Sequence, residues 1–251
     1  MVNTVERFSD RVENYVKYRP GYPPEVLQLF RDQMNLRETS VVADIGAGTG
    51  ISAKIFTANG NVVCGVEPNE LMREAAEEFL RDFPNFKAID GTAENTTLFD
   101  NSIDFVVAAQ AFHWFDETNT RREFKRILKD GGFVVLLWNE RQLDSTAFLR
   151  GYENLLIEFG TDYERIRHDN ISKETLRNFF QTDFRQAIFR NAQTVDFDGL
   201  RGRMLSASYV PSKDNPRFAE MLKNLESLFA EHAESGKIHI LYDTKVFYGR
   251  I

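Results

Sequence analysis

Between residues 41 and 139 short apolar runs alternate with stretches whose apolar residues recur every three or four positions. The runs cover 41–45, 62–67, 86–90, 103–109 and 133–138, and the amphipathic stretches cover 69–83 and 117–129. Continuous apolar runs of this length fit strands covered on both faces, and the intervening periodicity fits helices. Strand and helix in alternation give βαβ units, and right-handed crossovers wind the sheet doubly. Ahead of this core, 23–35 predicts a helix with prolines at its start, preceded by an aromatic and basic stretch over 15–24.

After residue 140 the rhythm changes. Residues 145–182 read as mainly helical, 184–190 as a strand, 196–235 as helical with a break near 211–216, and 237–250 as a strand. The last two strands predict an antiparallel pair at one edge of the sheet. The expected fold is therefore α/β: a doubly wound, mainly parallel seven-stranded sheet with an antiparallel edge strand, whose helical insertions form a cap over one end. The expected organisation is an N-terminal lid arm and helix over 1–35, a ligand-binding core over 36–140, and cap insertions with the last two strands over 141–251. The last two parts form one compact domain.

Composition narrows the function classes. Of 251 residues, 31 are basic and 38 acidic, a formal charge of −7. Such a balance argues against a nucleic-acid partner, whose phosphates call for a basic surface. The single Cys64 excludes an internal disulfide and a cysteine-built zinc cage. The four histidines are scattered without metal-ligand spacing, so no metal is expected. No stretch approaches the ~20 apolar residues of a membrane helix. Residues 1–10 are polar and lack a signal core. The expectation is a cytoplasmic protein, monomer or homodimer, acting without nucleic acid or membrane. The 22 phenylalanines fall largely in helical stretches, where they predict core and the lining of an apolar pocket.

The strongest motif is Val41-Val42-Ala43-Asp44-Ile45-Gly46-Ala47-Gly48-Thr49-Gly50. An apolar strand enters a glycine turn from which a helix departs. Glycines let backbone approach a ligand closely, and ligands of open α/β sheets bind beyond the carboxyl ends of the strands. Nicotinamide enzymes use G-x-G-x-x-G. Here the spacing is G-x-G-x-G, Ile51 fills the dinucleotide position, and Asp44 stands two residues before the first glycine. This pattern resembles the signature of Rossmann-like class I methyltransferases dependent on S-adenosylmethionine (SAM). The resemblance implies SAM as cofactor, S-adenosylhomocysteine as product, and cofactor contacts from Asp44, Gly46, Ala47, Gly48, Thr49 and Gly50. Glu67 and Pro68, at the end of the next strand, place an acceptor for the ribose hydroxyls. Asn69 is better placed than Glu67 to cap the helix that follows.

Asp90-Gly91-Thr92-Ala93-Glu94 narrows the resemblance to the type 11 methyltransferases, in which the turn after the third strand contacts adenine. It implies Thr92, Ala93 and Glu94 as adenine contacts, with Thr92 standing where Asp is common. The run Ala109-Gln110-Ala111-Phe112-His113-Trp114-Phe115-Asp116 and the upstream Tyr15-Val16-Lys17-Tyr18-Arg19-Pro20-Gly21-Tyr22-Pro23 resemble a small-molecule branch that includes trans-aconitate methyltransferases. Arg126-Ile127-Leu128-Lys129-Asp130-Gly131-Gly132 matches the family's helix–turn–strand, with Asp130 where proline is common. The likeness covers residues 8–139.

A sulfonium methyl is already electrophilic, so the enzyme aligns the acceptor and excludes water. His113 is the candidate catalytic base or orienting group; its alternative is a structural histidine beneath Trp114. Gln110 is a candidate contact for the methionine portion. Tyr18 and Arg19 are candidate cofactor contacts, with Arg19 pairing the methionine carboxylate. Tyr15, His113, Trp114, Arg141, Arg203, Ser206 and Tyr209 are candidate acceptor contacts; the alternative for each arginine is a solvated surface charge. The reading is methyl transfer to a small-molecule substrate, with a carboxylic acid as one class. Its rivals are a nicotinamide oxidoreductase, a SAM-binding protein without transfer, and a methyltransferase of macromolecules.

Overall fold

The computed structural model describes residues 18–161, 163, 172–207 and 209–251. The elements are α1 (Pro24–Met34), β1 (Val41–Ile45), α2 (Ala53–Thr57), β2 (Val62–Val66), α3 (Glu70–Phe79), β3 (Phe86–Ile89), β4 (Ile103–Ala109), a 3-10 turn (Phe112–Trp114), α4 (Glu117–Ile127), β5 (Leu128–Arg141), α5 (Ala147–Phe159), α6 (Lys173–Phe180), β6 (Phe184–Val195), α7 (Phe197–Leu205), α8 (Phe218–His232) and β7 (Ile238–Gly249). Local chemistry explains several boundaries. Asn69, Asp116, Thr146, Ser172 and Asp196 each accept a backbone N–H of the first turn they precede. α1 opens on proline and closes at Asn35 in the left-handed conformation.

One seven-stranded sheet runs in the order β3-β2-β1-β4-β5-β7-β6. β1 pairs in parallel with β2 and β4, β2 with β3, and β4 with β5. The antiparallel strand is β7, which lies between β5 and the outermost β6. From β1 the chain moves out to β2 and β3, then returns to β4 on the other side, so the switch point lies between β1 and β4. Neighbouring residues along a strand serve opposite faces. Ala43, Val106, Val134 and Leu136 face a cluster with Phe124 and Ile127 of α4. Val42, Val107, Val135 and Leu137 face one with Val26 and Phe30 of α1 and Phe56 of α2.

A third cluster joins α5, α7 and α8 to Val195 at the end of β6 and to Ile238, Ile240 and Tyr242 at the start of β7. Because Arg141 at the end of β5 pairs with Tyr242, this cap sits at the end of the sheet where the parallel strands finish. Not every helix after residue 140 joins it. Leu176, Phe179 and Phe180 of α6 pack on the sheet face with α4, and Arg121 donates to the Phe179 carbonyl at 2.7 Å. β6 also runs five residues past the expected 190. Its half-buried side keeps the polar Asn191 and Gln193, which donate to the Gly21 and Tyr18 carbonyls and hide the strand from an apolar count. Among the described residues no helix is long and apolar enough to cross a membrane.

Candidate active site

The chain segments leaving β1, β2, β3, β4 and β5 converge on one cavity of about 560 Å³ under the cap. Gly46, Ala47, Gly48 and Thr49 line it from the first loop. Gly48 has φ of 55°, and a Cβ built there meets nothing within 4 Å, so its open side is ligand space. Gly50 has another task. It is absent from the cavity wall, and a Cβ there would stand 2.8 Å from Leu80 Cδ1, so it lets the loop pack on the end of α3.

Glu67 fastens this loop to the next. Its Oε2 accepts from the Gly48 amide at 3.0 Å and its Oε1 from the Asn69 amide at 3.0 Å. Burial pushes its pKa up, against those two amides and the Arg73 guanidinium. Pro68 and Asn69 line the cavity beside it. Asp44 lies behind the loop, fully buried and outside the cavity wall. Its Oδ2 accepts from Ser52 Oγ at 2.6 Å. Burial pushes its pKa up to about 7, although the Ser52 hydroxyl and Ala53 amide act the other way. Asp44, expected as a direct cofactor contact, stands off the cavity wall and supports the loop from behind.

Among the described residues, Thr49 Oγ1 and Gln110 Oε1 are buried on the cavity wall without a hydrogen-bond partner. Leaving such groups unmade costs about 1–3 kcal/mol each. Gln110 is held in the left-handed region, with φ of 58°. Its amide nitrogen donates to the Asn139 carbonyl at 3.2 Å. An open glycine cradle, an acceptor carboxylate and two orphaned polar atoms on one wall fit a polar nucleoside ligand such as SAM.

Thr92, Ala93 and Glu94 line the cavity after β3. Thr92 Oγ1 accepts from the Asn95 amide at 3.2 Å. Glu94 Oε1 accepts from the Asp116 amide at 3.0 Å, so it also holds the entry to α4. Beyond β4, Trp114 and Phe115 line the cavity and His113 does not. The His113 ring lies 4.8 Å from that of Trp114. Burial lowers its pKa to about 4. The geometry therefore favours the structural alternative for His113 over the base.

Beyond these residues the cavity is walled by Arg19 and, at the far end, by Tyr22, Asn139, Arg141, Leu143, Tyr163, Arg203 and Tyr209. Arg141 is paired with Glu153 and donates to the Tyr163 hydroxyl at 3.0 Å. That hydroxyl donates to Glu153 Oε2 at 2.6 Å. Arg203 is 8% exposed, and its Nε donates to the Tyr242 hydroxyl at 3.3 Å. Among the described residues no carboxylate pairs with it; Tyr152, Tyr209 and Tyr242 are the groups that face it. Ser206 is off the wall: its hydroxyl donates to the Arg203 carbonyl at 2.6 Å, and its own carbonyl accepts from Arg19 Nη2 at 3.1 Å. Tyr18 is also off the wall. Its ring covers Gly202 of α7, where a Cβ would stand 2.1 Å from it. Tyr15 lies outside the described residues.

Asn139, Tyr22 and Tyr163 are site residues that sequence reading missed. Asn139 is 6% exposed, and its amide nitrogen donates to the Gly21 carbonyl at 3.1 Å while its Oδ1 accepts from Thr244 Oγ1 at 2.5 Å. A lone asparagine ending an apolar strand was the available signal.

Residues 43–136 match a protein family described as a methyltransferase domain. An uncharacterised methyltransferase of Bacillus licheniformis is 30% identical over 179 residues, 66% of this chain and 83% of that protein. One from Schizosaccharomyces pombe is 27% identical over 209 residues, 81% of this chain and 79% of that protein. One from Mycobacterium bovis is 37% identical over 134 residues, about half of each chain. A provisionally assigned type II methyltransferase from Anaeromyxobacter dehalogenans shares the fold with a TM-score of 0.68 at 20% identity, over 93% of this chain and 98% of that one. The glycine cradle, the acidic residue after β2 and these likenesses agree: the chain belongs to the class I SAM-dependent methyltransferases.

Proposed function

We propose that the protein methylates a small-molecule acceptor, of which carboxylic acids are the favoured class, inside the cavity between the loop after β4 and the cap. The observation that carries this reading is the continuity of one cavity from the glycine loop to the buried Arg203. When bound, SAM supplies an electrophilic methyl on its sulfonium, transferred by in-line displacement.

The chain's residues supply binding, alignment and dryness. Glu67 is placed to accept from ribose hydroxyls, keeping lone pairs beyond those used by the Gly48 and Asn69 amides. Thr92 and Ala93 border the adenine end. Thr49 and Gln110 offer their orphaned oxygens to the polar methionine portion, and Arg19 reaches its carboxylate. Trp114, Phe115, Tyr22 and Tyr209 keep water from the acceptor. A carboxylate acceptor is already ionised at pH 7, so no proton has to be removed and His113 need not act. The concave site and the charge of −7 fit a small acceptor and no nucleic acid, and we place the activity in the cytoplasm, in a monomer or homodimer.

Incubation with methyl-labelled SAM and a whole-cell extract tests this. Label is expected in acid-soluble metabolites of low mass. Label confined to RNA or protein would overturn the small-molecule acceptor. SAM binding with no transfer to any fraction would overturn methyl transfer.

A further inference from the structure

Arg203 sits on α7 with its guanidinium in the cavity wall, 8% exposed. Burying a cation costs several kcal/mol unless a counter-charge and hydrogen bonds repay it. Among the described residues this one has only neutral neighbours, and a single hydrogen bond to Tyr242 at 3.3 Å is a thin return. The other cations nearby differ. Arg141 is neutralised by Glu153. Arg19 is tied to the Ser206 carbonyl beside the cofactor half. Glu140, also on the wall, is neutralised by Lys245. Among the described residues, Arg203 is thus the cation of the acceptor half that no carboxylate neutralises.

We propose, resting on the methyltransferase reading above, that Arg203 determines acceptor specificity by pairing a single carboxylate on a molecule whose remaining body is apolar or aromatic. A planar guanidinium grips a carboxylate through two parallel N–H···O bonds. Of the tyrosines that face it, Tyr209 shares the cavity wall and can add its hydroxyl to the anion's partners. The rest of that half is Asn139, hydrogen-bonded to Gly21 and Thr244, Arg141 and Glu140, each already ion-paired, and Tyr22, Leu143, Tyr163 and Tyr209, which present flat and largely apolar surface. A second carboxylate would be desolvated against these groups without a partner. Monocarboxylates with an aryl or alkyl body are therefore the acceptor class, and di- and tricarboxylates are excluded.

Calorimetry on the protein saturated with S-adenosylhomocysteine tests this with benzoate, phenylacetate, 3-phenylpropanoate and octanoate, their primary amides, and phenylsuccinate. At least one monocarboxylate is expected to bind, its amide about tenfold or more weaker, and phenylsuccinate weaker likewise. Arg203→Met is expected to lose the acid while S-adenosylhomocysteine affinity changes less than about twofold. Its ligand-free melting temperature is expected to rise or hold, because an unpaired buried charge is gone. Arg203→Lys keeps the charge without the fork and is expected to bind the acid at intermediate strength.

Failure of all four acids to bind, an amide binding as well as its acid, or Arg203→Met retaining the acid would overturn the inference. So would a loss of S-adenosylhomocysteine affinity in Arg203→Met, which would assign the guanidinium to the cofactor's carboxylate. The wild-type acid and amide arms decide the matter if that variant does not fold. Failure of S-adenosylhomocysteine to bind the wild type would instead sink the methyltransferase site itself.

Discussion

Glu67 joins the loop architecture to the cavity through one carboxylate. It pins the amides of two loops and still faces the cavity. Glu67→Ala is expected to weaken S-adenosylhomocysteine binding by about 1.5–3 kcal/mol, roughly ten- to a hundredfold, in calorimetry. Unchanged affinity in a folded variant would remove Glu67 from the site. Asp44 makes a prediction about stability. Its pKa stands near 7 in the folded chain against an ordinary 3.8. Between those values the folded state holds a proton that the unfolded state has released, so stability falls as pH rises from about 4 to about 7. Asp44→Asn removes this dependence. In urea unfolding, the difference between wild type and variant is expected to shift by a few kcal/mol over that window and level off above it. A constant difference would mean that Asp44 is ionised throughout. His113, at a pKa of about 4, carries no titration near neutrality. Once an acceptor is known, His113→Gln is expected to leave the shape of the pH–rate profile between pH 6 and 8 unchanged. Loss of a limb there, with about 10²–10⁴ in rate, would restore it as the base.

At the scale of elements, residues 18–22 stitch three parts together. The Tyr18 carbonyl accepts from Gln193 of β6 at 2.9 Å, Arg19 reaches Ser206 after α7, and the Gly21 carbonyl accepts from Asn139 of β5 and Asn191 of β6. The segment closes one side of the cavity, so amides of 19–22, proline excepted, are expected to exchange more slowly with S-adenosylhomocysteine bound. Equal exchange would mark a fixed structural arm. Gly202→Ala gains helix propensity yet drives a methyl into the Tyr18 ring. It is expected to speed exchange over 19–22 and to weaken binding, and exchange at the wild-type rate would show that Tyr18 does not hold the segment. Element by element, the sequence was informative where apolar runs are unbroken. β1 and β4 match their expected limits, and Asn69 caps α3 as its position foretold. It was less informative at the edge. β6 continues through Asn191, Ala192 and Gln193 because the half-buried asparagine and glutamine find partners in the Gly21 and Tyr18 carbonyls, which no local pattern announces. α6 has the same periodicity as a cap helix, and nothing local says that Phe179 and Phe180 turn to the sheet face.

Across the whole molecule, strand order places the ends of β1 and β4 side by side, and the cap closes over them. The glycine spacing made the first half of the cavity legible because its wall comes from consecutive residues at strand ends. The acceptor half was only partly legible. Arg141, Arg203 and Tyr209 stood out as polar residues in the cap region, whereas Asn139, Tyr22 and Tyr163 meet only through tertiary packing. Tyr18, Gly50, Asp44, His113 and Ser206 sit one layer behind the wall: spacing puts a residue in the right loop without saying which way it points.

The central claim is that the glycine-loop half of the cavity holds SAM. Calorimetric titration of the wild type and Gly48→Val with SAM and with NAD tests it most directly. The wild type is expected to bind SAM at one per chain and to ignore NAD. Gly48→Val, folded by circular dichroism, is expected to lose SAM, because its side chain fills the open space above the loop and its φ of 55° disfavours a branched residue. Binding of NAD without SAM, or normal SAM affinity in folded Gly48→Val, would contradict the account.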